Sequence, residues 1–310
     1  MKQPVADRAR ETPRRITIGD VARMHADGRR MAMLTAYDFT TASIVDEAGV
    51  PLILVGDSLG EVLLGYDSTV RVSMTEMLHH VKAVTRGTSR ALVIADMPFM
   101  SYGLTAEESV RNAGAFLSEG GAQAVKIEGG VRSARTIEAI VRGGIPVMGH
   151  IGWTPQAKHG LGGKVRIQGK TREQARALLA DALAVQEAGG FGIVLELVPE
   201  QLATAITERL RIPTIGIGAG PGCSGQVLVI NDLLGLGDFR PRHARPYAEL
   251  RATIQEAVRA YVSDVESGVF PGAEQTVRMD DGVLEEVIGR SPLDQPTGDV
   301  AAAIPLDRDL

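Results

Sequence analysis

Cysteine is almost absent. Cys223 stands alone, so no intrachain disulfide can form. Long apolar runs are missing too, and none approaches the roughly 18–20 residues that span a bilayer. Residues 1–15 carry five Lys and Arg, but no apolar stretch follows them as one would in a secretory signal. Neither sign of charge dominates. Against 38 Asp and Glu stand 33 Lys and Arg, a net charge of −5, which argues against a surface built to neutralise nucleic-acid phosphates. These absences predict a cytoplasmic protein with no membrane and no nucleic acid among its partners. Proline and glycine, 15 and 36 of 310 residues, stay below a low-complexity composition. With 44% hydrophobic and 23% charged residues, the chain is folded and long enough for a sizeable core.

What is present is alternation. Eight short β-rich runs recur: 31–36 (MAMLTA), 51–56 (PLILVG), 91–95 (ALVIA), 123–127 (QAVKI), 145–149 (IPVMG), 192–196 (GIVLE), 213–217 (PTIGI) and 225–230 (GQVLVI). They are continuously apolar, as parallel strands covered on both faces require. Helical punctuation lies between them. Ser73 with Glu76, Thr105 with Glu108, and Thr171 with Gln174 have the spacing of capping boxes. Met77, Leu78, Val81 and Val84 share a helical face, as do Val110, Ala113 and Leu117. Leu250, Ile254, Val258, Tyr261 and Val265 keep helical spacing and are expected to form the last helix of the domain. Eight βα units over residues 16–270 suit a (β/α)8 TIM barrel, which typically takes ~250 residues. A doubly wound open sheet is disfavoured because no GxGxxG follows the first run. Residues 1–15 read as a polar N-terminal tail, and 271–310 as a C-terminal tail with partial order.

In such a barrel the residues at the ends of the strands converge on one rim. Asp57, Ser58, Asp96, Lys126, Glu128, His150 and Glu196 all fall there. Carboxylates gathered in one ring repel unless positive charge lies between them. Lys126 is one source, and a divalent cation would be a better one. Asp57, Asp96 and Glu128 are hard oxygen ligands without cysteine nearby, which selects magnesium over zinc. A magnesium ion in this position would chelate a substrate carboxylate or phosphate and stabilise an enolate. Glu196 follows an apolar run, so it reads either as a general base of raised pKa or as a cap for a helix near Pro199. His150 either binds substrate or holds a loop. The run 216–225 (GIGAGPGCSG) either contacts an anion through its amides or serves close packing.

Several segments, in order, carry a family likeness: LTAYDFTTASIVDEAGV, ILVGDSLG, VSMTEMLHHVKAVTRG, ADMPFMSYG, GAQAVKIEGG, PVMGHIGWTPQ, LELVPEQLA and IPTIGIGAG. Together they resemble ketopantoate hydroxymethyltransferase from about residue 16 to residue 270. The resemblance implies a barrel of the phosphoenolpyruvate/pyruvate type, a Mg2+ ion, and 5,10-methylenetetrahydrofolate as co-substrate with 3-methyl-2-oxobutanoate. It also implies roles. Asp57, Ser58, Asp96 and Lys126 would hold the oxoacid, Asp57, Asp96 and Glu128 the metal, and Glu196 would accept the proton. A homo-oligomer, commonly a decamer, is expected. The loop 161–170 is one residue longer than usual with Lys164 in place of an aromatic residue, Ser224 stands where Asp is frequent, and 242–247 (RHARPY) lacks a familiar lysine. These departures predict altered contacts to the folate tail or to neighbouring subunits. Lyases of the same scaffold carry a cysteine in a KKCGH-type segment, which is missing here.

Overall fold

The structure, a computed structural model, describes residues 14–288. Eight parallel strands close into a barrel in chain order: β1 (Met31–Thr35), β2 (Leu52–Val55), β3 (Leu92–Asp96), β4 (Ala124–Glu128), β5 (Val147–Gly152), β6 (Gly192–Glu196), β7 (Thr214–Ile217) and β8 (Gly225–Leu228). Every apolar run therefore becomes a strand. Their alternation of faces builds two cores. Ile53, Val55, Val93, Ala95, Val125, Ile127, Ile193 and Leu195 face the helices. Met31, Met33, Leu52, Leu54, Leu92, Ile94, Ala124, Met148 and Val194 fill the interior, where Ile16 and Val21, the latter in helix Ile18–Ala26, join them.

Helices begin largely where their caps were read. Ser73 and Thr171 complete capping boxes, while Thr105 makes only the forward bond to the amide of Glu108. Met77, Val81 and Val84 are buried as expected. On helix Ala106–Ser118 the buried face is instead Ser109, Ala113 and Phe116, with Val110 and Leu117 at its margin.

Two expectations fail. No helix joins β7 to β8, because residues 218–224 return directly to the far end of the barrel. Leu250–Glu266 is a helix, but none of its residues is buried, and the compact barrel unit ends at Arg251 rather than near residue 270. Only the short helix Ile230–Leu234 follows β8 before that point. Helical spacing identifies an apolar face without saying what covers it. The second unit, from Ala252 on, includes helix Asp281–Ile288, so part of the expected tail is regular. The N-terminal tail up to residue 13 and residues 289–310 lie outside the described residues. No described helix is long and apolar enough to cross a membrane.

One carboxylate pins the end of the barrel opposite the rim, where β3 begins. Asp46, buried in helix Phe39–Glu47, accepts from the amides of Ser89, Arg90 and Ala91 and from the Ser89 hydroxyl at 2.6–3.1 Å. Burial alone would raise its pKa, but these donors outweigh it and hold the carboxyl below its usual range. Replacing Asp46 by Ala leaves three amides without their acceptor and should cost about 2–4 kcal/mol. A lowered folded pKa gives stability that is present above the unfolded value of about 3.9 and is lost as pH falls towards the folded one. Urea unfolding of both proteins should show the gap shrinking from pH 7 to pH 3. An equal gap at both would contradict the assignment.

Candidate functional site

The strand period places the polar groups one step above the apolar interior. Beyond Ile94 the next inward residue is Asp96; beyond Ala124 come Lys126 and Glu128, beyond Met148 His150, and beyond Val194 Glu196. Register then sets them side by side, with Asp96 opposite Lys126 and Glu128 opposite His150. Asp57 and Ser58 follow β2 at the start of helix Leu59–Val62. All seven line one cavity of about 1260 Å³, along with Trp153, Lys158, Arg166, Leu197, Gly218 and Arg242. Glu196 is not a helix cap, since helix Glu200–Arg209 begins without a side-chain cap. His150 faces the cluster directly.

Contacts within the cluster are close. Lys126 Nζ meets Asp96 Oδ1 at 3.0 Å, and Asp96 Oδ2 accepts the amide of Asp57 at 3.0 Å. Lys126 Nζ also lies 3.2 Å from His150 Nδ1. An ammonium can only donate, so Nδ1 accepts and the imidazole proton sits on Nε2. That atom is 3.1 Å from Glu196 Oε2 but makes no hydrogen bond to it. Glu128 Oε1 is buried without a hydrogen-bond partner. Tyr37, buried behind the rim, bonds Ser58 Oγ at 2.9 Å and fixes that hydroxyl.

Burial dominates the electrostatics. It raises the carboxyls of Asp57, Asp96, Glu128 and Glu196, and the neighbouring acids raise Asp57, Glu128 and Glu196 further. Glu196 is pushed up to about 8. Lys126 goes the other way from most buried lysines: desolvation would lower its pKa, but Asp96, Glu128 and Asp57 prevail and raise it. His150 is held neutral by burial and by the Lys126 charge. Four acids thus share one buried cation.

Two residues of the cluster escaped the sequence reading. Gln156, in the single turn Pro155–Ala157 after β5, donates from Nε2 to Asp57 Oδ2 at 2.7 Å and to the carbonyl of Met97 at 2.9 Å. Its amide donates to Glu128 Oε2 at 3.1 Å. Tyr102 donates its hydroxyl to Gln156 Oε1 at 2.7 Å and accepts the amide of Glu128. Only the segment GHIGWTPQ drew attention to this stretch, and nothing local tells that its glutamine reaches back across the rim.

The donor set suits a hard cation, although among the described residues no three His, Cys, Asp or Glu side chains form a ready-made metal cage. Lys126 occupies one oxygen of Asp96, and Gln156 one oxygen each of Asp57 and Glu128. Magnesium is commonly bound through one or two carboxylates, with water and substrate completing its shell, and the unpartnered Glu128 oxygen is an acceptor still to be satisfied.

The glycine-rich segment serves packing more than binding. Ile217 and Gly218 reach the cavity, while the rest runs beside helix Glu200–Arg209, where a Cβ on Gly222 would stand 2.1 Å from Thr204 Oγ1. Ser224 bonds Thr214 and His25 at the start of β7 and β8, the end of the barrel opposite the cavity. It cannot contact a ligand held at the rim.

Comparison with known proteins points one way. The ketopantoate hydroxymethyltransferase family profile matches residues 15–273. The 3-methyl-2-oxobutanoate hydroxymethyltransferase of Chloroflexus aurantiacus is 60% identical over 89% of this chain and 97% of its own. That of Dehalococcoides mccartyi is 55% identical over 88% and 97%. Among solved structures, phosphonopyruvate hydrolase in complex with oxalate and Mg++ superposes with a TM-score of 0.55 at 13% identity, covering 89% of this chain and 99% of that one. For 2,3-dimethylmalate lyase, a PEP mutase/isocitrate lyase superfamily member, the values are 0.52, 16%, 88% and 95%. These two share the barrel fold.

Proposed function

The chain belongs to the ketopantoate hydroxymethyltransferase family, and on that premise we propose that its rim converts 3-methyl-2-oxobutanoate, 5,10-methylenetetrahydrofolate and water into 2-dehydropantoate and tetrahydrofolate through an enolate. The observation that carries this reading is the buried cluster in which four acids surround Lys126 beside one large cavity. As a family member the protein is a transferase of the pantothenate route. Asp57 and Asp96, with Glu128 beside them, would hold Mg2+. When bound, magnesium would act as a Lewis acid on the ketone and carboxylate oxygens of the oxoacid, which acidifies its C3 proton.

The chain's own groups supply the rest. Lys126 offers its fixed charge to the oxygens on which enolate charge develops. Ser58, oriented by Tyr37, and His150, whose Nε2 carries the spare proton, bind and orient the oxoacid. Glu196 takes the C3 proton. The C3 carbon then bonds to the folate's methylene carbon, and water supplies the hydroxyl as tetrahydrofolate leaves. A cavity of about 1260 Å³ exceeds what a five-carbon acid fills, which supports a second, larger substrate. Ile254, Val258, Tyr261, Val262 and Val265 are exposed on Leu250–Glu266, which supports assembly into a homo-oligomer, a decamer by analogy. A cytoplasmic location accords with the lone, buried, free Cys223. Purified protein given both substrates and Mg2+ should form 2-dehydropantoate. No product, with the oxoacid consumed or untouched, would overturn the reading.

A further inference from the structure

Glu196 and Leu197 are neighbours in sequence, yet both line the cavity. A continuing strand forbids this, because successive side chains point to opposite faces. Val194 and Glu196 face inward while Leu195 packs towards the helices, so Leu197 should follow Leu195. It does not, because its φ is +49°. For a leucine this left-handed conformation is unfavourable and persists only where its surroundings enforce it.

The enforcement is visible on each side. The amide of Leu197 donates to the carbonyl of Ile217 at 2.9 Å, and its carbonyl accepts from the amide of Gln168 at 2.8 Å. The amide of Trp153 donates to the carbonyl of Glu196 at 2.8 Å. The side chain closes the lock: a Cβ on Gly218 would lie 2.7 Å from Leu197 Cδ2, so glycine there leaves the room that Leu197 takes. Three segments, following β5 and β7 and preceding helix Arg172–Glu187, thus converge on two residues. Of the four acids Glu196 is the one with an accessible side chain, 17% exposed, against 2–5% for Asp57, Asp96 and Glu128 as residues.

We infer that Leu197 is a positioning residue for proton transfer: its left-handed backbone ends β6 at Glu196 and holds that carboxylate in the cavity beside His150 Nε2. This rests on the reading of Glu196 as the proton acceptor. Backbone conformation is what matters, and the leucine side chain serves to enforce it.

The test separates conformation from side-chain chemistry. Gly and Asn accept a positive φ readily, whereas Ala and Val resist it. C3 hydrogen exchange of 3-methyl-2-oxobutanoate and oxoacid affinity should be measured for Leu197→Gly, Leu197→Asn, Leu197→Ala and Leu197→Val in the full chain with Mg2+. Gly and Asn should exchange within about threefold of the wild type, and Ala and Val at least about tenfold more slowly, the scale on which small misplacements of a reacting group are felt. Oxoacid affinity should stay within about twofold throughout. The Gly and Ala pair alone decides if Val fails to fold, since both remove the side chain and differ in φ preference. Equal rates across the series, or Ala and Val outperforming Gly and Asn, would overturn the inference. A Glu196→Gln variant run beside them distinguishes the failures: a flat Leu197 series with a crippled Glu196→Gln removes only this inference, whereas wild-type exchange in Glu196→Gln removes the base assignment on which it rests.

Discussion

Replacing Glu196 by Gln is expected to lower turnover and C3 hydrogen exchange together by roughly two to four orders of magnitude, the scale of losing a general base, with little change in oxoacid affinity. The glutamine keeps the shape and accepts a hydrogen bond but cannot take a proton. Burial, with Asp57, Glu61 and Asp96 adding to it and Lys126 opposing, pushes the Glu196 carboxyl up to about 8. The deprotonated, active form therefore grows as pH rises, so wild-type exchange should climb with pH and level off below about 8 once Mg2+ adds its charge beside the cluster. That limb should be missing in the variant. Wild-type exchange in Glu196→Gln would assign the proton to another group. His150 is poorly placed to be that group, because its one lone pair faces Lys126 and its other nitrogen carries the proton.

Much of this geometry is legible in the sequence because it rests on a period of two. Once β3, β4, β5 and β6 are located by their apolar runs, inward residues at 94, 124, 148 and 194 imply that Asp96, Lys126, His150 and Glu196 share the next layer. Caps are local, and Ser73 and Thr171 behave as their spacing implies. What escapes depends on distant partners. Glycines at 218–224 permit the helix-free return from β7 to β8, but the same residues would also suit an anion loop, and only Thr204 beside Gly222 decides. Ser224 and the rim are adjacent in sequence to one loop yet lie at its opposite ends. The exposure of the apolar face on Leu250–Glu266 is not encoded in its spacing. Gln156 reaches Asp57 across 99 residues of chain, which no local pattern announces. The left-handed Leu197 carries no glycine or asparagine to mark it.

Removal of divalent metal should abolish activity, and Mg2+ should restore it. The argument is electrostatic. Asp57, Asp96, Glu128 and Glu196 share Lys126 as their buried cation, and desolvation with mutual repulsion raises their pKa values. Without a further positive charge the cluster relieves itself by holding protons, and nothing then acts as a Lewis acid on the oxoacid's ketone. Mg2+ would have to displace those protons, so its affinity should increase with pH, and isothermal titration at pH 6, 7 and 8 should show the trend. Asp57→Ala removes one acid and leaves Gln156 Nε2 without its carboxylate partner. Metal and oxoacid affinity should then fall together by about 2–5 kcal/mol, the scale of breaking a buried charged contact, or roughly thirtyfold and more. Full turnover in metal-free protein with excess EDTA would refute the metal requirement. Loss of metal binding in Asp57→Ala with oxoacid affinity intact would show instead that the substrate is held by Lys126 and Ser58 alone, and that the acids serve a different step.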